Sequence, residues 1–143
     1  MTTSVYSDFE RLLPHRPPML MLTAMLEQES NNVHCISVID TQNPLLRDGL
    51  FPPTGGLELL AQAAGTLLGA QVPDNAARPG AIVQVKSFLV EPIRIPPGAE
   101  LHIHTRYLAG SPDAAMFEGE VNFGETCFFT GTLMIAFLEG DPW

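Results

Sequence analysis

An α+β domain, with one mostly antiparallel sheet wrapped on a single helix, is the fold class this sequence predicts. Three observations carry that expectation. The stretch Gly55–Ala70 (GGLELLAQAAGTLLGA) has apolar residues around most of a helical circumference, which marks a buried helix rather than a surface one. From Ala81 onward the apolar period changes to two, as half-buried strands require. The 143-residue length suits one domain, residues 1–143, with a core that needs no disulfide or metal staple.

The elements follow in order. Tyr6, Phe9, Leu12 and Leu13 have helical spacing, so residues 1–12 predict a short amphipathic lead-in that Ser7 caps. Pro14, Pro17 and Pro18 force the chain out of any helix. Met19–Gln28 predicts a strand, Ser30-Asn31-Asn32 a turn and Val33–Asp40 a second strand, followed by a loop over Asn43–Thr54. After the helix, Gln71–Gly80 predicts a loop. Ala81–Val90, Ala99–Leu108, Ala115–Phe123 and Thr126–Leu138 predict four strands, the last two joined by a Gly124-Glu125 hairpin turn.

Composition excludes several functions. A net charge of −9 leaves no cationic excess for a nucleic-acid partner. No apolar run reaches the roughly 18–20 residues of a membrane span. Pro18–Leu26 looks like a signal core, but Asp8 and Glu10 precede it and no small-x-small site follows, so a cytoplasmic protein is expected. Cys35 and Cys127 lie far apart in apolar stretches and predict reduced, buried thiols. Charged residues make up only 16% of the chain, against roughly 25% in ordinary domains. Such a chain is expected to hide part of its exterior in an oligomer.

Chemistry concentrates on one stripe of the helix. Gly55, Glu58, Gln62, Gly65 and Gly69 project onto one face, and glycines buried beside a carboxylate imply a close approach by some other group. Glu58 falls in the first turn, where unpaired N–H groups carry partial positive charge. It reads either as a capping-box acid or as a catalytic acid, base or nucleophile beside carbonyl-polarising amides. Gln62, one turn on, either orients that carboxylate, binds a ligand or makes a plain intrahelical pair. The histidines are weaker candidates. His102 and His104 share a strand face with Arg106 and predict a solvated face, without a third ligand that would make a metal site. His34 reads as a core histidine and His15 as a turn residue among prolines. Phosphate loops, GxSxG and CxxC motifs are absent.

Two motifs carry a family resemblance. Leu13-Pro14-His15-Arg16-Pro17-Pro18-Met19-Leu20 resembles the LPHRxPxL opening of β-hydroxyacyl-acyl-carrier-protein dehydratases, and Glu58–Gly65 resembles their helix motif E-A-x-A-Q-x-x-G, with Leu59 for the first alanine. Val83–Gly98, with Pro92, Pro97 and Gly98, is similar to their third strand and its turn. The resemblance implies the hotdog fold, a curved sheet around one long helix, assembled at least as a dimer. It implies thioester substrates on acyl carrier protein, with neither metal nor organic cofactor. In that family a histidine in a GHFP motif removes the α-proton, the helix carboxylate handles the departing β-hydroxyl and the helix N-terminus polarises the thioester carbonyl. Glu58 matches the carboxylate and Gly55-Gly56 the polarising end; Leu50, Phe51, Gly55, Gly56 and Gln62 are the candidate substrate-binding residues. The motif itself reads Gly49-Leu50-Phe51-Pro52, with leucine at the histidine position and a shortened loop behind it. In these respects the chain is most similar to the shortened dehydratase-like proteins of aryl-polyene biosynthesis.

Three functions therefore compete: a 3-hydroxyacyl-carrier dehydratase or dehydratase-type subunit, a hotdog acyl thioesterase in which Glu58 activates water or attacks the thioester, and a non-catalytic partner of an active dehydratase. Sites of the resembling family are shared across a dimer, so either a homodimer or a heterodimer with a histidine-bearing paralogue is expected. Arg78 and Arg94 are the candidate contacts to the carrier's phosphate.

Overall fold

The computed structural model describes residues 2–6, 9, 12–69, 80–111 and 113–137. One seven-stranded antiparallel sheet curls around one helix, with strand order β1-β2-β3-β5-β6-β7-β4. The strands are β1 (Thr2–Tyr6), β2 (Ala24–Gln28), β3 (Asn32–Val38), β4 (Gly80–Val90), β5 (Glu100–Gly110), β6 (Ala114–Phe123) and β7 (Thr126–Phe137). The helix α1 spans Gly56–Gly69, and a 3-10 turn over Pro53–Gly55 feeds into it.

Alternation along the strands sets which face meets the helix. Cys35 pairs with Ile103, and Ile103 with Val121, so one inward row crosses three strands. These residues are fully buried against Leu59, Leu60, Ala63, Ala64 and Leu67 of α1. Each buried leucine contributes about 1.5–3 kcal/mol relative to exposure, which is why so apolar a helix sits inside. Gly119 lets it sit close: a Cβ there would lie 2.7 Å from Leu60 Cδ2 and 2.4 Å from the His104 carbonyl oxygen.

Two sequence expectations are corrected. Residues 2–6 form a strand, not a helical lead-in, because they pair with β2 in the register Thr2↔Gln28 and Thr3↔Glu27. Ser7, the expected cap, lies outside the described residues. Among the described residues of this segment, the Phe9 carbonyl accepts from the N–H groups of Leu12 and Leu13, a single helical turn. The strand expected from Met19 starts at Ala24. Its first part is diverted: Met21 N–H donates to Gln62 Oε1 at 2.9 Å, and Met21 O accepts from the Ser37 hydroxyl at 2.6 Å. This segment is thus strapped to the helix and to β3 instead of extending β2.

β4 closes the sheet on its far side and, among the described residues, pairs only with β7. Val83, Phe88 and Leu89 on it are 56%, 57% and 76% exposed. A long apolar edge strand of this kind is a template for another chain. No described helix is long and apolar enough to cross a membrane.

Candidate active site

The glycine stripe of α1 is covered by the protein itself. A Cβ on Gly65 would meet Leu13 Cδ2 at 2.6 Å, and one on Gly69 would meet the Leu12 carbonyl oxygen at 2.3 Å. The segment 12–21 therefore lies along this face, and the small residues are what allow it. Arg16 pins the turn that follows, donating from Nη1 to the carbonyls of Leu13 and His15 at 2.9 and 2.8 Å. The result is that His15 hangs over the first turns of α1, with its Nε2 3.4 Å from Glu58 Oε1.

Glu58 is half-exposed at 29% and lines two cavities. One, of about 200 Å³, runs under the 12–15 segment beside Leu13, His15, Gly65, Leu68 and Ile135. The other, of about 490 Å³, lies at the helix N-terminus between Leu45, Arg47, Thr54, Leu57 and Ile82. Ile82 of β4 borders both. A carboxyl group between an apolar cleft and a wider opening has the setting proton transfer needs: access for a substrate, and partial exclusion of water.

Gln62 is fully buried. Its Nε2 donates to Met19 O at 2.7 Å and to Glu58 Oε1 at 3.0 Å, and its Oε1 accepts from Met21 N–H. The backbone donor fixes the amide orientation, so Gln62 presents N–H to the carboxylate. Its polar atoms are engaged by the protein, which makes it a tether between helix and strap.

Gly55 and Gly56 depart from the expected role. The Gly55 N–H donates to Pro52 O at 2.8 Å, and the Gly56 N–H to the Pro53 and Thr54 carbonyls, because the 3-10 turn continues the hydrogen-bond ladder upstream. Added Cβ atoms would strike the Phe51 ring at 2.5 Å and Phe129 Cγ at 2.6 Å. These amides are satisfied by backbone carbonyls, and the aromatic rings fill the space where side chains would stand. Phe51 itself is a core residue, fully buried, its N–H donating to Ile95 O at 2.8 Å. Leu50 is half-buried and closes a hairpin with Arg47, through Arg47 N to Leu50 O at 2.8 Å and the reverse bond at 3.0 Å. Asp48 and Gly49 at its tip have φ of 52° and 78°, conformations that suit this residue pair. That rigid turn sets Arg47 at the wider cavity, a cation the sequence reading did not single out. Arg94 is exposed after β4, and Arg78 lies outside the described residues.

The other histidines gather elsewhere. The β3–β5 register places His34 opposite His104 on the outer sheet face, so His34 is half-buried there rather than in the core. Its Nε2 lies 2.8 Å from His102 Nδ1, and its ring stacks on His104 at 4.0 Å. Burial, then the neighbouring His104 and His102, push the His34 pKa down to about 4. Among the described residues no group of three His, Cys, Asp or Glu side chains has metal-holding geometry. Cys35 and Cys127 are free thiols, and burial pushes Cys35 up to about 12, which leaves it unreactive.

Comparison with known proteins gives a consistent picture. The sequence profile of the ApeP-like family, described as ApeP dehydratase, matches residues 7–139. The 3-hydroxyacyl-[acyl-carrier-protein] dehydratase FabZ of Colwellia psychrerythraea is 27% identical over 140 residues, 91% of each chain. The dehydratase heterocomplex ApeI:P from Xenorhabdus doucetiae has a chain 26% identical with a TM-score of 0.84, covering 94% of this chain and 93% of that one. A hypothetical thioesterase of Streptococcus pneumoniae, solved with coenzyme A, shares the fold alone: TM-score 0.58 and 11% identity over 80% of this chain and 84% of that one. The fold is a hotdog, as the resemblance implied.

Proposed function

Because this chain belongs to the ApeP-like dehydratase family, we propose that it presents Glu58 to 3-hydroxyacyl thioesters on acyl carrier protein, in a site completed by a histidine-bearing paralogue. It is a dehydratase-type subunit of the kind related to aryl-polyene biosynthesis. The carrying observation is the half-exposed Glu58 carboxylate, which lines both cavities, in a chain whose Gly49–Pro52 motif has leucine in place of the imidazole.

The chemistry follows from that division. A histidine from the partner takes the α-proton of the thioester. The freed electron pair forms the Cα=Cβ bond as the β C–O bond breaks. The protonated Glu58 carboxyl gives its proton to the departing hydroxyl, which leaves as water. Leu50 accepts no proton, so a homodimer lacks the base, a loss of roughly 10²–10⁴-fold. The exposed apolar edge of β4 supports pairing with a paralogue, as does the heteromeric nature of the Xenorhabdus complex. Arg47 at the wider cavity supports recognition of the carrier's phosphopantetheine phosphate, a contact suited to a bidentate guanidinium. The free thiols suit a reducing compartment, the cytoplasm.

The test mixes the purified chain with such a paralogue and follows the mass of the carrier-bound acyl group. Loss of water is expected only with both chains present. Glu58→Gln in this chain abolishes the gain, whereas removing the paralogue's own carboxylate does not. Equal dehydration by the isolated chain overturns the composite site, and release of free carrier thiol overturns dehydration in favour of hydrolysis.

A further inference from the structure

We infer that His15 is a positioning residue which, with Gln62, holds one oxygen of the Glu58 carboxyl and leaves the other to meet the substrate. The inference rests on the dehydratase reading and deepens it.

Both neighbours address the same atom. Gln62 Nε2 donates to Glu58 Oε1 at 3.0 Å, and His15 Nε2 stands 3.4 Å from that same Oε1. Oε2 makes no hydrogen bond among the described residues. The 3.4 Å approach is longer than a closed hydrogen bond, and contacts of this kind often tighten only when substrate is bound. Neither donor is a drifting surface group. Gln62 is locked by Met19 and Met21, and the turn carrying His15 is pinned by Arg16 on the Leu13 and His15 carbonyls.

The other imidazole nitrogen defines what His15 does. Nδ1 is buried and has no hydrogen-bond partner among the described residues. A proton there would be buried without an acceptor, so the hydrogen-bond environment assigns the proton to Nε2, facing Glu58. With its Nε2 proton directed at Glu58, His15 is a donor to the carboxyl and not the base that Leu50 fails to provide. Two fixed donors on Oε1 orient the carboxyl plane, and Oε2 becomes the oxygen that delivers the proton to the leaving hydroxyl.

Two measurements on the heteromeric complex test this. In nitrogen-15 imidazole spectra, the signal removed by His15→Gln is expected to show protonated Nε2 and bare Nδ1, and to move in Glu58→Ala. A protonated Nδ1, or a signal indifferent to Glu58→Ala, overturns the inference. In dehydration assays, His15→Phe is expected to lower kcat about 10- to 100-fold, the scale of a misplaced reacting group, with KM within about twofold. His15→Gln, whose amide N–H reaches the place of Nε2, restores most of the rate. A wild-type kcat in the phenylalanine variant, or no rescue by glutamine, overturns the inference. If the wild-type complex fails to dehydrate while the nitrogen signals behave as expected, the dehydratase reading falls and the His15–Glu58 pair stands.

Discussion

Replacing Gln62 by methionine keeps the volume and removes the polar end, so it isolates what the tether does. Three hydrogen bonds disappear: Met21 N–H to Oε1, Nε2 to Met19 O and Nε2 to Glu58 Oε1. Met21 is 5% exposed, so its N–H is left buried without an acceptor, which costs about 1–3 kcal/mol. Met19 is 42% exposed, and its carbonyl regains water, so that loss is about 1 kcal/mol. Glu58 is hydrated at its open side and adds little to stability. The near-isosteric change itself adds under about 1.5 kcal/mol. Gln62→Met is thus expected to destabilise by about 2–5 kcal/mol. With a urea slope of about 2 kcal/mol/M, the midpoint falls by about 1–2.5 M. The assay is urea unfolding of the assembled protein at fixed concentration, since assembly contributes to apparent stability. A midpoint within about 0.3 M of wild type refutes the tether. Gln62 would then be free to contact ligand, as its position on the stripe suggested.

The remaining predictions concern other parts of the fold. Gly69→Ala drives a Cβ against the Leu12 carbonyl oxygen at 2.3 Å, a backbone atom that cannot swing away. It should cost about 2–3 kcal/mol, or about 6–9 °C in Tm. Gly65→Ala meets only the tip of Leu13 and gains helix propensity, so it should stay within about 1 kcal/mol of wild type. Equal Tm values for the two variants refute the packing argument. For His34, the folded pKa of about 4 lies below the unfolded 6.5, so the unfolded chain binds the proton first on acidification. Stability is intact above about pH 6.5 and is lost as pH falls towards 4, by about 1 kcal/mol once partial exposure is discounted. His34→Gln should flatten that part of a denaturation-versus-pH curve, and parallel curves exclude the effect. The pair Phe88→Asp and Leu89→Asp places charge on the apolar edge of β4 and should abolish assembly with the paralogue in size-exclusion chromatography. An unchanged elution volume rules out that edge as the interface.

Local pattern and long-range pairing divided the legibility of this chain. The helix was readable to within a residue or two, because its apolar circumference is a local property of Gly55–Ala70. The four later strands were equally plain, because period-two alternation is local too. The N-terminus misled: Tyr6, Phe9 and Leu12 keep helical spacing, yet residues 2–6 form a strand, since β2 offers an edge to pair with. Met19–Thr23 misled in the opposite direction. Its apolar run suits a strand, but Gln62 and Ser37 capture the Met21 backbone groups.

The same division applies to the site. By itself the sequence determined the helix, the carboxylate in its first turn and the glycine stripe, all matters of residue type and periodicity, while the leucine at the histidine position is legible only through the family resemblance. Only the tertiary structure brought His15 to Glu58, set His34 against His102 and His104, engaged the Gly55 and Gly56 amides and left β4 on the edge. Each of those depends on how distant segments register and pack. A proline-rich turn fixes where His15 points only once Leu12 and Leu13 lie on Gly69 and Gly65. That contact is set by the close packing of two surfaces, which no window of neighbouring residues encodes.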